Sequence, residues 1–333
     1  MVFSDQWEGE MNQSVEAVQP AHPKRRIVRI LKWILIGLAA FLVVAYFGIS
    51  AVAASQLTVP KRRGDFLKNP GLYNMQYDDL RIPARGDGLE IAAWYIPSEI
   101  NEYAIILVHG RDDSRMYAPY TEGVDAHSDG YLPFAKVLND AGYSVMMIDL
   151  RGHGQSADSR YYFGLKEYQD VLGAVDWLEK HGYKPGHIGI QGYSLGAATV
   201  IIATAQEADI QAIWVDSAYA DIESVIKRVW VQESGLPQIF WPSTRLMIRL
   251  LYGYDIADSR PIDEIGEIAP RPIYIVHCQE DAFIPIEQMQ RLIQVANPVG
   301  TWAIQGCKHA FGYNVATEEY NQKVLAFFSE YLK

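Results

Sequence analysis

The 333-residue chain has few cysteines, no excess of basic residues and no repeated segment. Its only cysteines are Cys278 and Cys307, which excludes the multi-disulfide framework that holds many small secreted domains together. The formal net charge is -11, and so acidic a protein repels phosphate backbones, so we expect no nucleic-acid partner. Heptads and low-complexity tracts are also absent from the sequence. The composition therefore predicts one large globular domain with an appendage.

Charged residues are missing from one long stretch near the N-terminus. Residues 33–54 read WILIGLAAFLVVAYFGISAVAA, and about 20 such residues suffice to cross a bilayer as a helix. A polar and basic tail, residues 1–32, precedes this run, and its first part is typical of disordered segments. We expect residues 33–54 to form a transmembrane helix in contact with the lipid bilayer.

Two interpretations of this segment remain open. Ala51-Val52-Ala53 resembles an A-x-A cleavage site, as in a signal peptide that is removed. The apolar run is longer than the usual h-region of about 7–15 residues, and about thirty residues precede it, so we favour an uncleaved signal anchor. Either interpretation predicts a single-pass or exported protein whose folded domain is extracytoplasmic. Basic residues flank the run on both sides, so the charge bias that sets this orientation is small.

Beyond a predicted linker, residues 55–75, apolar runs typical of strands alternate with amphipathic helical segments. This alternation predicts an α/β fold with a mostly parallel central sheet and helices on both faces. Arg85-Gly86-Asp87-Gly88 predicts a hairpin turn between the first two strands. The predicted strands are residues 77–82, 89–96, 103–109, 143–149, 188–191, 210–216, 273–278 and 301–305.

Two predicted connections exceed the usual length of about two to six residues. They are residues 110–131 and residues 217–271. Both follow strands, and ligands of such sheets bind outside the carboxyl ends of the strands. We expect residues 217–271 to form a small helical cap that shapes a pocket. Asp112, Asp113, Asp125, His127 and Asp129 lie in the first loop, where a solvated acidic loop is favoured over a metal site because their spacing fits no ligand pattern.

One segment combines a strand, a sharp turn and a helix. Residues 187–199 read HIGIQGYSLGAAT and contain the G-x-S-x-G pattern Gly192-Tyr193-Ser194-Leu195-Gly196. The flanking glycines let the strand and the helix approach each other closely, so the serine is held at the tip of a strained turn. Ser194 is thus a candidate nucleophile. An ordinary glycine-rich turn would show the same five residues, and the downstream motifs decide between the two.

Further motifs follow in a fixed order along the chain: His109-Gly110, Asp149-Leu150-Arg151-Gly152-His153-Gly154-Gln155-Ser156, the Ser194 turn, Asp281 and His309. In this order, over about residues 75–332, the sequence resembles the α/β-hydrolase superfamily. It is most similar to the membrane-anchored or secreted branch that includes serine aminopeptidases and prolyl-oligopeptidase-type domains. The resemblance implies that residues 76–333 form an α/β-hydrolase catalytic domain.

A serine hydroxyl needs a base to take its proton, and that base needs an acid to orient it. His309 follows the last predicted strand and precedes the last helix, where the superfamily places its base. Asp281 follows the preceding strand and is the expected acid, with Asp216 as the alternative. The resemblance also implies that the backbone N–H groups of Leu195 and Arg111 bind the oxyanion.

The side chains beside these residues leave two questions open. The Arg111 side chain either binds a substrate carboxylate or, as we favour, pairs with Asp112 or Asp113. Cys278 and Cys307 lie near the ends of the last two strands, so they form either a disulfide between the acid and base loops or two buried thiols.

These features predict a membrane-anchored serine hydrolase that cleaves an ester, or a thioester or amide, through a Ser-His-Asp triad without a metal or another cofactor. The expected substrate is a small ester or a short peptide. A serine peptidase of the same fold is the first alternative. A hydrolase-fold protein that binds without catalysis is the second.

Overall fold

The computed structural model describes residues 23–62, 68–100, 102–116 and 130–332. The predictions for residues 1–22, for part of the linker and for Asp125, His127 and Asp129 lie outside these ranges. The chain divides into two compact units, and the boundary along the chain falls between Gly48 and Ile49.

Eight strands form one sheet in the described part of the second unit, in the order β1-β2-β4-β3-β5-β6-β7-β8. The first two pairings, β1 with β2 and β2 with β4, are antiparallel, and all the others are parallel. The predicted mostly parallel sheet with a leading hairpin is therefore confirmed. The strands are β1 (Asp78–Pro83), β2 (Glu90–Ile96), β3 (Ala104–Val108), β4 (Ser144–Ile148), β5 (Ile188–Tyr193), β6 (Ile210–Asp216), β7 (Ile273–Cys278) and β8 (Gly300–Ile304).

Helices cover both faces of this sheet because alternate strand residues point to opposite sides. In β3, Ile106 and Val108 face one core, which includes α3, α4 and α8, whereas Ile105 and Leu107 face the other, which includes α2 and α10. The helices are α1 (Pro23–Thr58), α2 (Leu132–Asp140), α3 (Tyr168–Lys180), α4 (Leu195–Gln206), α5 (Ile222–Ser234), α6 (Trp241–Tyr252), α7 (Pro261–Glu264), α8 (Ile286–Ala296), α9 (Gly312–Val315) and α10 (Thr317–Tyr331).

The N-terminal helix α1 is longer at both ends than the predicted span of residues 33–54. Its first residue is Pro23, whose fixed φ suits a helix start, and the basic residues that follow are good helix formers. The predicted boundaries at residues 32 and 55 therefore both fall inside one helix. By length and composition, residues 25–58 are able to cross a membrane.

The last three turns of α1 belong to the second unit and are packed within it. Ala53 and Ala54 are buried in a hydrophobic cluster that also contains Trp230 and Trp241. The Ser50 and Ser243 hydroxyls are hydrogen bonded at 2.7 Å. Residues 50–58 are therefore part of the folded body, and the predicted linker begins only after Thr58.

The predicted cap is shorter than residues 217–271. Helices α5 and α6 pack together in the cluster around Trp230 and Trp241, as a cap would. Ile265 and Ile268, in contrast, are fully buried in the core between the sheet and α4. Helices α5 and α6 therefore remain the predicted cap, whereas residues 261–268 pack on the core of the sheet domain.

Candidate active site

The turn between β5 and α4 holds Ser194 in a conformation that few residues adopt. Its backbone has φ 54° and ψ -120°. The turn is tight: a Cβ atom on Gly192 would lie 2.5 Å from the carbonyl oxygen of Gly196, and one on Gly196 would lie 2.4 Å from that of Val108. Only glycine fits at both positions, which is the physical reason for the G-x-S-x-G pattern.

The turn after β3 packs directly on this serine. A Cβ atom on Gly110 would lie 2.8 Å from Tyr193 Cε2 and 3.2 Å from Ser194 Cβ. The backbone of Arg111 is therefore next to the serine turn. Leu195 is the first residue of α4, so its N–H is one of the terminal groups that have no acceptor within the helix. These are the two predicted oxyanion donors.

Three side chains from three connections form a chain of hydrogen bonds. Ser194 Oγ lies 2.8 Å from His309 Nε2. On the other ring nitrogen, His309 Nδ1 lies 2.6 Å from Asp281 Oδ2. Asp281 is buried, whereas 18% of the His309 side chain is exposed to solvent. A proton can therefore pass from the serine hydroxyl to the imidazole while the carboxylate holds the ring.

The turn after β7 fixes the other oxygen of Asp281. The backbone N–H groups of Phe283 and Ile284 donate to Asp281 Oδ1 at 2.9 and 2.8 Å. Because Oδ1 is held in this way, Oδ2 is directed at His309. The Phe283 ring also packs against the His309 ring, with 5.2 Å between the ring centres.

A second histidine, His277, lies beneath this carboxylate. Its Nε2 lies 2.7 Å from the carbonyl oxygen of Ile284 and 3.5 Å from Asp281 Oδ2. Burial lowers the pKa of His277, which favours the neutral ring. Since the carbonyl can only accept, Nε2 carries the proton. His277 therefore supports the turn that presents Asp281.

Asp216, the alternative acid, makes different contacts. It accepts hydrogen bonds from the Ser217 hydroxyl at 2.8 Å and from the Tyr320 hydroxyl at 3.0 Å. Burial raises the pKa of this carboxyl. The structure thus brings Asp281, and not Asp216, within hydrogen-bond distance of His309.

The Arg111 side chain lies against the acidic group that we favoured as its partner. Arg111 Nε is 3.5 Å from Asp112 Oδ2, and the guanidinium lies 5.7 Å from the centre of the Phe283 ring. A cap residue, Glu233, lies at the 4.0 Å limit of an ion pair with it. Arg111 therefore connects the β3 loop to the cap beside His309.

Two other histidines near the turn are structural. His109 is fully buried, with Nδ1 2.7 Å from the Gly110 carbonyl oxygen and Nε2 accepting the Leu150 N–H at 2.9 Å. Burial lowers its pKa to about 4. His153 is also buried, and burial lowers its pKa to about 3. Both rings are neutral at pH 7 and join the β3 and β4 loops.

The two cysteines are joined in a disulfide, with 5.4 Å between their Cα atoms. Cys278 ends β7, three residues before Asp281, and Cys307 lies two residues before His309. The bridge therefore connects the loop that carries the acid to the loop that carries the base.

Sequence reasoning did not single out Phe283, His277 as a support of Asp281, or Glu233. Phe283 was detectable in principle, since it lies two residues after the acid on the same turn. His277 lies inside a strand, where nothing in its local sequence marks it as a support of Asp281. The contact of Glu233 with Arg111 depends on how the cap packs, for which the sequence holds no local signal.

Comparison with known proteins agrees with this geometry. The structure superposes on an esterase of Pyrococcus furiosus with a TM-score of 0.66 at 21% identity, covering 83% of this chain and 100% of the other. It also superposes on the α/β hydrolase GrgF of Penicillium with a TM-score of 0.58 at 16% identity, covering 78% and 99%. The chain has the α/β-hydrolase fold.

In sequence, the chain is similar to one peptidase family and to an uncharacterised bacterial protein. Residues 104–247, less than half of the chain, match the X-Pro dipeptidyl-peptidase (S15) family. The uncharacterised protein YqkD of Bacillus subtilis is 25% identical over 246 residues, which are 72% of this chain and 75% of YqkD.

Proposed function

We propose that this α/β-hydrolase is a membrane-anchored serine hydrolase that cleaves a carboxylic ester by acyl transfer to water. The observation that carries the proposal is the hydrogen-bonded chain from Ser194 Oγ through His309 to buried Asp281. The strained serine, the base and the oriented acid together are the parts that nucleophilic acyl transfer requires.

In this mechanism His309 Nε2 takes the proton of Ser194 Oγ as the oxygen attacks the carbonyl carbon. Asp281 stabilises the imidazolium that forms. The backbone N–H groups of Leu195 and Arg111 donate to the oxyanion. His309 then gives the proton to the leaving group, and water, activated by His309 in the same way, releases the acid from the acyl-enzyme.

The choice of an ester over an amide rests on the leaving group and on the esterase of similar fold. An alcohol leaving group asks less than an amine of the acid that protonates it. The S15 match of residues 104–247 favours a second candidate, a serine peptidase that acts on short peptides. A panel of p-nitrophenyl esters of graded chain length, compared with aminoacyl amides, separates the two by their kcat/KM values.

Retention of α1 as a signal anchor is part of the proposal. Cleavage after Ala53 would remove Ser50 and Ala53 from the packed body and leave Ala54 at a new N-terminus. Because these residues are buried against the cap, their loss would expose apolar surface. We propose an extracytoplasmic catalytic domain held at the membrane by the uncleaved helix.

The test is labelling of the full-length protein with a fluorophosphonate probe. The wild type is expected to be labelled on Ser194, and Ser194→Ala is expected to lose labelling and at least about 10⁴-fold in ester turnover. Ser329→Ala, on the exposed side of α10, is the matched control and should behave as the wild type. Equal labelling of wild type and Ser194→Ala would refute the nucleophile, and a wild type that is neither labelled nor active would favour a binding protein.

A further inference from the structure

The cap carries an apolar stripe that faces away from the core. Ile239, Leu246 and Leu250 are exposed, Leu250 by 66%. Leu246 and Leu250 are four residues apart on α6, so they share one side of the helix, and Ile239 precedes the helix on the turn before it. The opposite side of α6 buries Trp241 and Ile248. We call Ile239, Leu246 and Leu250 the cap stripe.

If the apolar segment spans the bilayer, no free residues separate the end of the span from the folded body. About 20 residues are needed to cross the hydrocarbon region, so a span that begins at Trp33 ends near Val52. Ser50, however, is already buried and hydrogen bonded to Ser243 of α6. The chain therefore enters the folded body at the level where it leaves the hydrocarbon, without a spacer.

The cap stripe is close to that point of entry. Ser243, the partner of Ser50, lies one turn before Leu246 on the same helix. At about 1.5 Å per residue, Leu250 is about 10 Å further along α6 than Ser243. Arg249 is exposed beside Leu250 and offers a positive charge to lipid phosphates.

We propose that the cap stripe is a lipid-binding surface that rests on the membrane in which the chain is anchored. This inference rests on the anchoring part of the proposed function but not on the hydrolase activity. The partner is the headgroup and upper acyl region of a phospholipid bilayer. Transfer of leucine and isoleucine side chains from water into this region is favourable in free energy. The cap beside His309 is then held at the lipid surface.

The experiment places a probe on the stripe of the full-length protein. Both native cysteines are in the disulfide, so Leu250→Cys supplies a single free thiol for a nitrobenzoxadiazole label. The protein is reconstituted in phosphatidylcholine–phosphatidylglycerol vesicles with or without doxyl-labelled lipid. Ile100→Cys is the matched control, because Ile100 is 75% exposed and precedes β3 at the edge of the sheet opposite to Ser194.

We expect the label at residue 250 to be quenched severalfold more by doxyl lipid than the label at residue 100. The double variant Leu246→Asp/Ile239→Asp in the Leu250→Cys background should lose most of that quenching while remaining in the vesicles. If flotation shows that the protein is bound to the vesicles and the two sites are nevertheless quenched equally, the proposal is overturned. A blue-shifted label without lipid quenching, together with a dimer in cross-linking, would also overturn it, because the stripe would then bind a second copy.

Failure of the anchor and failure of the hydrolase give different results. A chain that does not float with vesicles refutes anchoring and, with it, the lipid-binding stripe. If the protein floats with vesicles and its label at residue 250 is quenched, but fluorophosphonate does not label it, the lipid-binding stripe is supported and the proposed hydrolase activity is refuted.

Discussion

Asp216, the last residue of β6, and Asp281, which follows the neighbouring strand β7, are buried carboxylates with different hydrogen-bond partners. Asp281 contacts His309, whereas Asp216 accepts from Ser217 and Tyr320. We expect Asp281→Asn to lower kcat by about 10⁴-fold, because an amide cannot hold the imidazole in the required tautomer. The measurement is ester turnover by the full-length protein.

The matched change, Asp216→Asn, keeps the size of the side chain and removes no partner of His309. We expect its effect on kcat to be far smaller than that of Asp281→Asn, with any loss appearing in stability. If Asp216→Asn abolished turnover while Asp281→Asn retained it, the roles of the two acids would be reversed.

The sequence predicts a site residue well when its role is determined by the residues next to it in the chain, and less well when its role depends on packing with distant segments. Ser194 and its glycines are set locally, because strand, turn and helix are contiguous. Asp281 and His309 were predictable from their order after successive strands. The different partners of Asp216 depend on side-chain directions, and the support from His277 depends on the fold of the β7 turn. Neither has a signature in residue spacing.

At the scale of elements, the disulfide joins the two loops that carry the acid and the base. The cysteines are 29 residues apart, and closing a loop of that length in the unfolded chain corresponds to about 3–4 kcal/mol of stability. We expect Cys278→Ala/Cys307→Ala to lose about this much in urea unfolding, and to lose turnover because Asp281 and His309 are less well fixed. Unchanged stability and turnover would contradict a structural role for the bridge.

The β3 and β4 loops are expected to make folding sensitive to acid. Burial holds the pKa of His109 at about 4 against an ordinary value of 6.5, so the unfolded chain binds more protons than the folded protein between these values. Stability from this residue is complete above about pH 6.5 and decreases as the pH falls towards 4. At about pH 5 the loss is about 2 kcal/mol.

Urea unfolding at about pH 7.5 and pH 5 measures this effect. His109→Asn removes the titrating ring and should reduce the difference in unfolding free energy between the two pH values. Ser329→Ala, on the exposed side of α10, is the control and should leave the difference unchanged. A pH dependence that is the same in His109→Asn as in the wild type would show that other groups cause it.

Element boundaries were predicted least well where packing, and not local sequence, ends an element. The sequence predicts a span that stops at Ala54 because its apolar character ends there. The helix continues to Thr58 because its last turns are buried against the cap. In the same way, residues 261–268 were assigned to the cap, since nothing in their sequence shows that Ile265 and Ile268 pack on α4.

At the scale of the whole molecule, the proposed anchoring makes the junction at Gly48 and Ile49 a testable determinant of how closely the body is held to the bilayer. The proposed span passes into the buried turns of α1 without a spacer, so the cap stripe is kept at a high effective concentration of lipid. A Gly/Ser linker of about 20 residues extends on average about 25 Å, which is enough to release the body from the headgroups. Inserting it between Gly48 and Ile49 should therefore reduce doxyl quenching of the label at residue 250. Hydrolysis of an ester embedded in the vesicle should also fall, whereas turnover of a water-soluble p-nitrophenyl ester should be unchanged.

The control for this prediction is the same linker inserted before Pro23, where it alters the length of the chain but not the junction. That variant is expected to match the wild type in quenching and in both hydrolysis rates. If the junction linker left quenching and hydrolysis of the embedded ester unchanged, the cap stripe would hold the body on the bilayer by its own affinity. If it abolished turnover of the soluble ester as well, the buried turns of α1 would be needed for the fold of the active site.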